Sequence, residues 1–263
     1  MDDPIEIRAF LAEQSVTRQQ VRAWEARRAE AVLKKFARRL GHRGTAELLP
    51  DFTIGRAFDA PLDVQRAALT AMKTELGHAG IYALLKRELA ISERMARVGI
   101  AAGRGRVKYS VTRLHVPHYS AQRFADWFNN LTISNIEVDM VDATPDHYLL
   151  RGLPNGLQEV VETTGGSPTA SRFLVDYSRT ETLTIPADPD YPIQIAGQAM
   201  LDDGLVIGGV RHQFRDRDGT LEALLTCQFP GSLPARLIHQ HQWHLASEFS
   251  NWMIAAAPIA ATA

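Results

Sequence analysis

The sequence predicts an α+β protein: a helical N-terminal region over residues 1–103, then, over 104–263, an antiparallel sheet curled around a long C-terminal helix. Three observations carry this. Apolar residues recur at helical spacing through the first hundred positions. From Val107 onward, short alternating segments separated by Gly and Asp turns take over. The final apolar run, from Pro234 to about Ala256, is helical again.

The first helix starts at Thr17-Arg18-Gln19-Gln20, a capping-box pattern in which the Thr hydroxyl and the Gln side chain satisfy free backbone groups. Val21, Trp24, Ala31, Val32, Phe36 and Leu40 follow at helical spacing, and Gly41 and Gly44 are expected to end it. A second run starts near Leu62 with Ala67, Leu69, Met72 and Leu76. A third covers about 78–100 with Ile81, Leu84, Leu85, Leu89, Met95 and Ile100. Little in this region reads as strand. Ala101-Ala102-Gly103-Arg104-Gly105 breaks the pattern and marks the domain boundary. Beyond it, Val107 to Leu114 alternates as a strand, and Ser120 to Leu131 reads as a short helix carrying Phe124, Trp127 and Phe128. Strands are predicted at 134–141, 147–151, 157–163, 170–177, 193–200, 205–215 and 220–229. Gly165-Gly166, Asp202-Asp203-Gly204 and Asp216-Arg217-Asp218-Gly219 provide turns between them. Pro234 suits the first turn of the last helix, where its missing N–H costs nothing.

Composition narrows the function. A formal charge of -1 gives no global attraction to nucleic acid or anionic membrane. No stretch approaches the roughly 20 apolar residues that span a bilayer. The acidic start Met1-Asp2-Asp3-Pro4 has no apolar signal-peptide core, and the single Cys227 rules out an intrachain disulfide, so a reducing cytoplasmic setting is expected. Residues 18–43 hold nine Lys or Arg against Glu25 and Glu30. This basic run reads as a solvated or partner-facing helix face rather than a nucleic-acid contact, since no recognition-helix pattern follows.

The sharpest chemical feature is His244-Leu245-Ala246-Ser247-Glu248. Positions i and i+4 share a helix face, so the imidazole and carboxylate can reach one ion, with Zn²⁺ favoured and Mn²⁺ or Fe²⁺ also suited. His147 begins a strand after Thr144-Pro145-Asp146. By alternation Glu162 shares a face with Val160 and Gln158, opposite Glu159. His212 shares a face with Val206, Gly208, Val210 and Phe214, which points it inward. His115, His118, His239 and His241 are spare ligand candidates.

The element order is that of a helix-grip domain, and Phe229-Pro230-Gly231-Ser232-Leu233-Pro234-Ala235-Arg236-Leu237-Ile238 resembles the start of the final helix in START/Bet v 1-like domains. With the helical region before it, the chain resembles the 2,4-diacetylphloroglucinol hydrolase and phloretin hydrolase family. His244 and Glu248 match that family's C-terminal HxxxE pair, His147 its first histidine, Glu162 its first glutamate, and His212 a further active-site histidine. Two departures stand out: Val138-Asp139-Met140-Val141-Asp142 replaces a segment that tends to carry Tyr and Trp, and Pro145 lies two residues before His147.

The resemblance implies a zinc-dependent hydrolase that cleaves the carbon–carbon bond between an acyl group and a polyhydroxylated ring, such as an acylphloroglucinol, by attack of metal-bound water. His147, Glu162, His244 and Glu248 would be ligands and His212 the proton-transfer residue. Tyr109 and Tyr119 are candidates for holding phenolic oxygens. A homodimer is also implied, with Trp24, Phe36, Leu84 and Leu85 offering apolar faces. Three alternatives stay open: a metal-free helix-grip protein that binds a polyketide-like ligand or cyclises it, a metalloenzyme of another reaction, and a ligand-sensing regulator whose basic helix binds nucleic acid.

Overall fold

The structure, a computed structural model, describes residues 3–49 and 58–257. Its centre is a nine-stranded sheet, antiparallel at every pairing. The strands are β1 (Arg8–Leu11), β2 (Gln14–Val16), β3 (Val107–Pro117), β4 (His147–Gly152), β5 (Gln158–Glu162), β6 (Ser171–Asp176), β7 (Ile193–Met200), β8 (Val206–Arg217) and β9 (Thr220–Pro230), in the order β2-β1-β3-β9-β8-β7-β6-β5-β4. The helices are α1 (Arg18–Leu48), α2 (Leu62–Gly103), α3 (Ala121–Ser134), α4 (Glu137–Asp142) and α5 (Ala235–Ala256).

The N-terminus departs from expectation. Residues 8–16 form a hairpin that adds β1 to the edge of β3, so the sheet starts before the helical region. The capping box at Thr17 is present, with both reciprocal hydrogen bonds made. α1 does not end at Gly41. The backbone breaks there at φ 68° and the helix resumes to Leu48. Gly77, at φ 58°, likewise joins the second and third predicted runs into α2. Only glycine enters this left-handed region without a Cβ penalty.

The predicted strand 134–141 is not one. Asn135 closes α3 in a left-handed conformation (φ 51°), with its N–H on the Leu131 and Thr132 carbonyls, and α4 follows at once. Ile136, Val138 and Met140 imitate strand alternation, but Met140 and Val141 are buried together while Val138 is exposed, as one face of a helix requires.

Two apolar clusters fill the molecule. In one, Leu245, Phe249, Trp252 and Met253 of α5 pack on Leu114, Leu221, Leu225 and Phe214 of the sheet, with Phe124 and Phe128 of α3 beside them. In the other, Val32, Leu33 and Phe36 of α1 and Leu69, Met72, Ile81 and Leu85 of α2 pack on Tyr148, Leu149 and Val161. Strands β4 and β5 therefore lie between the two, and α5 is buried almost throughout from His241 to Met253. Trp24, Phe36 and Leu85 are spent inside the chain, which removes them from the expected dimer surface.

Part of the basic run is paired within the chain, while Arg27, Lys34, Arg38 and Arg43 stay exposed. Arg18 pairs with Asp3, Arg22 with Asp63, Arg28 with Asp146, and Lys35 and Arg39 with Glu88. Among the described residues no helix is long and apolar enough to cross a membrane.

Candidate metal centre

The cross-strand register of β4 and β5 sets His147 directly opposite Glu162. A bulge between His147 and Leu149 lets Tyr148 and Leu149 both turn toward α1 and α2 while His147 faces α5. Gln158, Val160 and Glu162 line one cavity, whereas Glu159 is held on the other side by Arg151 and Arg172. α5 brings His244 and Glu248, one turn apart, against the same pair.

The result is a buried cluster that can hold a metal ion: one ligand atom each from His147, Glu162 and His244 lies within 4.8 Å of the others. Glu248 lies against both histidines. His147 Nε2 is 3.6 Å from Glu162 Oε2 and 3.3 Å from Glu248 Oε1, and His244 Nε2 is 3.7 Å from each of Glu162 Oε2 and Glu248 Oε2. His147 Nδ1 lies 3.1 Å from the Met140 carbonyl, which can only accept, so that nitrogen carries a proton and Nε2 faces the carboxylates. His147 Nε2 has no hydrogen-bond partner, nor has His244 Nδ1, which lies 4.0 Å from Asp146 Oδ2. A backbone carbonyl fixing the outer nitrogen of an imidazole is the usual support of a metal-bound histidine.

Electrostatics mark the same spot. Burial raises the Glu162 carboxyl to about 7; His147 opposes the rise and Glu248 adds to it. Burial lowers His147, but the carboxylates of Glu248 and Glu162 outweigh it and raise the imidazole overall. Burial drives His244 well down, helped by the His147, His241 and Arg28 charges. Among the described residues no Arg or Lys pairs with Glu162 or Glu248; both lie against the two histidines, and Thr164 Oγ donates to Glu162 Oε1 at 3.0 Å.

The cluster lines a cavity of about 630 Å³. Leu150, Val160, Phe173, Val175, Phe229 and Trp252 form apolar wall, and Met95, Val98 and Ala102 of α2 border it. His212 also lines it, with its ring 4.8 Å from that of Phe249 and its Nδ1 without a partner. Burial alone lowers His212 to about 3, which keeps it neutral. His241 lines it too, stacked on His244 at 5.3 Å and bonded through Nδ1 to Ser110 Oγ.

The remaining candidates lie elsewhere. Tyr119 donates to the Met253 carbonyl at 3.1 Å, inside the core. Tyr109 is partly exposed and bonds Thr184. Neither borders the cavity. His115 lies against Phe10 with the rings tilted, His118 occupies a left-handed turn (φ 57°), and His239 bonds Gln242 and Trp243. Asp146, Tyr177 and Gln158 were not singled out by sequence. Tyr177 donates to Gln158 Oε1 at 2.8 Å, which leaves the Gln158 Nε2 donor buried and unpaired at the cavity wall. Strand alternation placed Gln158 on the Glu162 face, and that was the one available signal.

No protein-family model and no curated protein sequence matches this chain.

Proposed function

We propose that the protein is a metal-dependent hydrolase that cleaves the carbon–carbon bond between an acyl group and a polyhydroxylated aromatic ring, with His147, Glu162, His244 and Glu248 holding Zn²⁺, or Fe²⁺ or Mn²⁺ through the same donors. The carrying observation is the spacing of the four side chains. Bonds of 2.0–2.2 Å at tetrahedral angles put ligand atoms roughly 3.3–3.6 Å apart, and the four imidazole–carboxylate separations are 3.3 to 3.7 Å, with Glu248 meeting His147 through one oxygen and His244 through the other. The unpaired Nε2 of His147 and the uncompensated carboxylates fit the same donor set. An antiparallel sheet with its last helix buried against it supports the helix-grip assignment and, with these residues, the resemblance to the diacetylphloroglucinol and phloretin hydrolases.

When bound, such an ion polarises a carbonyl and lowers the pKa of water beside it. The chain's own residues supply the rest. In this reading His212, neutral and with Nδ1 unpaired among the described residues, takes a proton from a ring hydroxyl and returns it to the ring carbon of the leaving group. Gln158 Nε2, its amide oriented by Tyr177, donates to a substrate oxygen. Phe173, Phe229, Phe249 and Trp252 hold an aromatic ring and exclude bulk water.

The test is metal content by elemental mass spectrometry, followed by ultraviolet assay of the metal-replete protein against acylphloroglucinols. About one ion per chain with loss of the acyl group is expected. Bound metal with every acylphloroglucinol left intact would point to a different reaction at the same centre. Absence of metal after attempted reloading would favour the second reading, a metal-free polyketide-binding or cyclising protein, for which the apolar wall of the cavity speaks.

A further inference from the structure

A second pocket lies on the far side of β4 from the metal centre, where Gly77 breaks α2. It has a volume of about 140 Å³ and is lined by Lys73, His78, Glu137, Val138, Val141 and Tyr148, among others. Lys73 is 4% exposed, and its Nζ makes one hydrogen bond, 3.1 Å to the Pro145 carbonyl, while lying 5.9 Å from the centre of the Tyr148 ring. Among the described residues no carboxylate pairs with it. Lys35, the other buried lysine, differs: its ammonium is 2.9 Å from Glu88 and 3.0 Å from the Tyr148 hydroxyl. A lysine buried without a counterion sheds its proton, and its nitrogen lone pair becomes available.

We propose that Lys73 is a nucleophilic amine and that its pocket takes a small neutral aldehyde, joined to Nζ as an imine. Nζ attacks the carbonyl carbon and the C–O π bond opens. One N–H proton moves to the oxygen, giving a carbinolamine. The hydroxyl then leaves as water with the second N–H proton, and the C=N bond forms. Nothing is oxidised or reduced. Glu137, accepting from His78 at 2.6 Å, stands on the pocket wall. The product is uncharged, which suits walls of Ile81, Val138, Val141 and Leu149; a carbamate from CO₂ would set a new anion beside Glu137. The volume limits the aldehyde to a few carbons. Burial lowers the Lys73 amine to about 7, with Asp142 and Asp146 resisting and Arg66 assisting. Thr74 and Val138 are exposed at the pocket rim, giving a route from solvent.

The chain has five lysines, Lys34, Lys35, Lys73, Lys86 and Lys108, which makes the test direct. The full-length protein is treated with propanal and cyanoborohydride at pH 7, and propylation is followed by peptide mass spectrometry. Lys73 should react at least tenfold faster than exposed Lys86, because each unit of lowered pKa multiplies the neutral amine about tenfold and Lys73 is lowered by several. Its rate should saturate with propanal and lose its advantage in urea. The Val138→Trp variant, which narrows the rim at an exposed position, should slow Lys73 alone. Lys73 reacting no faster than Lys86, a rate that stays linear in propanal, or a Lys73 rate unchanged by Val138→Trp would each overturn the proposal. None of these readouts depends on the metal centre.

Discussion

Buried carboxylates on the two faces of β4 and β5 meet opposite fates. Toward α1 and α2, Glu88 faces Lys35 and Arg39, Asp146 takes a bidentate clamp from Arg28 at 2.8 and 2.9 Å, and Glu159 lies between Arg151 and Arg172. Toward α5, Glu162 and Glu248 pair, among the described residues, with no Arg or Lys: they face His147 and His244, and Thr164 donates to Glu162. Burying a charge without a partner costs several kcal/mol. The first face meets that cost from within the chain. On the second, the proposed cation meets it, and the same two charges become ligands. The contrast predicts that substitutions on the second face change metal content, and those on the first change stability.

The largest effect belongs to the ligands. His244→Ala or Glu248→Gln should abolish most bound metal and activity together, while thermal unfolding stays cooperative. Full metal content in the Glu248→Gln protein would remove Glu248 from the site. Next comes His212→Gln, expected to lower kcat about 10²–10⁴-fold with metal unchanged. Loss of metal in that variant would make His212 a structural support rather than the proton carrier. It also has a pH signature. Burial holds the His212 imidazole at about 3 when folded against 6.5 ordinarily, so the unfolded chain binds a proton that the native one refuses. Native stability is therefore whole above 6.5 and is lost as pH falls from 6.5 toward 3. Urea titrations across that window should show a shallower decline for His212→Gln than for the parent protein.

On the ion-paired face, Arg28→Ala leaves Asp146, fully buried, without its cation. Breaking one partner of a buried pair costs about 3–5 kcal/mol, to be read from urea unfolding. Asp146 also lies 4.0 Å from His244 Nδ1, so the two faces touch here. Metal affinity in Arg28→Ala should fall less than in His244→Ala. An equal fall would mean that the clamp orients the ligand as strongly as the ligand binds.

What the sequence disclosed follows the range of each interaction. The strands from β5 to β9 and α5 were legible because alternation, Gly turns and helical spacing are local signals. The same local rules put Gln158 with Glu162 and His244 with Glu248. They could not see that His147 and Glu162 pair across β4 and β5, or that Arg28 reaches Asp146 over more than a hundred residues. β1 and β2, at four and three residues, are too short to show a period and exist by pairing, β1 with β3 and β2 with β1. Residues 136–140 misled because three alternating apolar residues fit either period until the Asn135 cap decides between them.

The two tyrosines proposed from sequence give the smallest effects and sharpen the boundary of the site. Tyr119 is 8% exposed, and its hydroxyl donates to the Met253 carbonyl in α5; burial pushes that hydroxyl up to about 12, so it stays protonated at any physiological pH. Tyr119→Phe removes one buried hydrogen bond and leaves an acceptor unpaired, which costs about 1 kcal/mol. Tyr109 is 39% exposed and bonds Thr184 at 2.6 Å, where water can replace it. Tyr109→Phe should therefore change stability by less than about 0.5 kcal/mol. Both variants should keep KM and kcat. A rise in KM for Tyr119→Phe at unchanged stability would bring its hydroxyl into contact with substrate, and would require α5 to shift around Met253 when substrate enters.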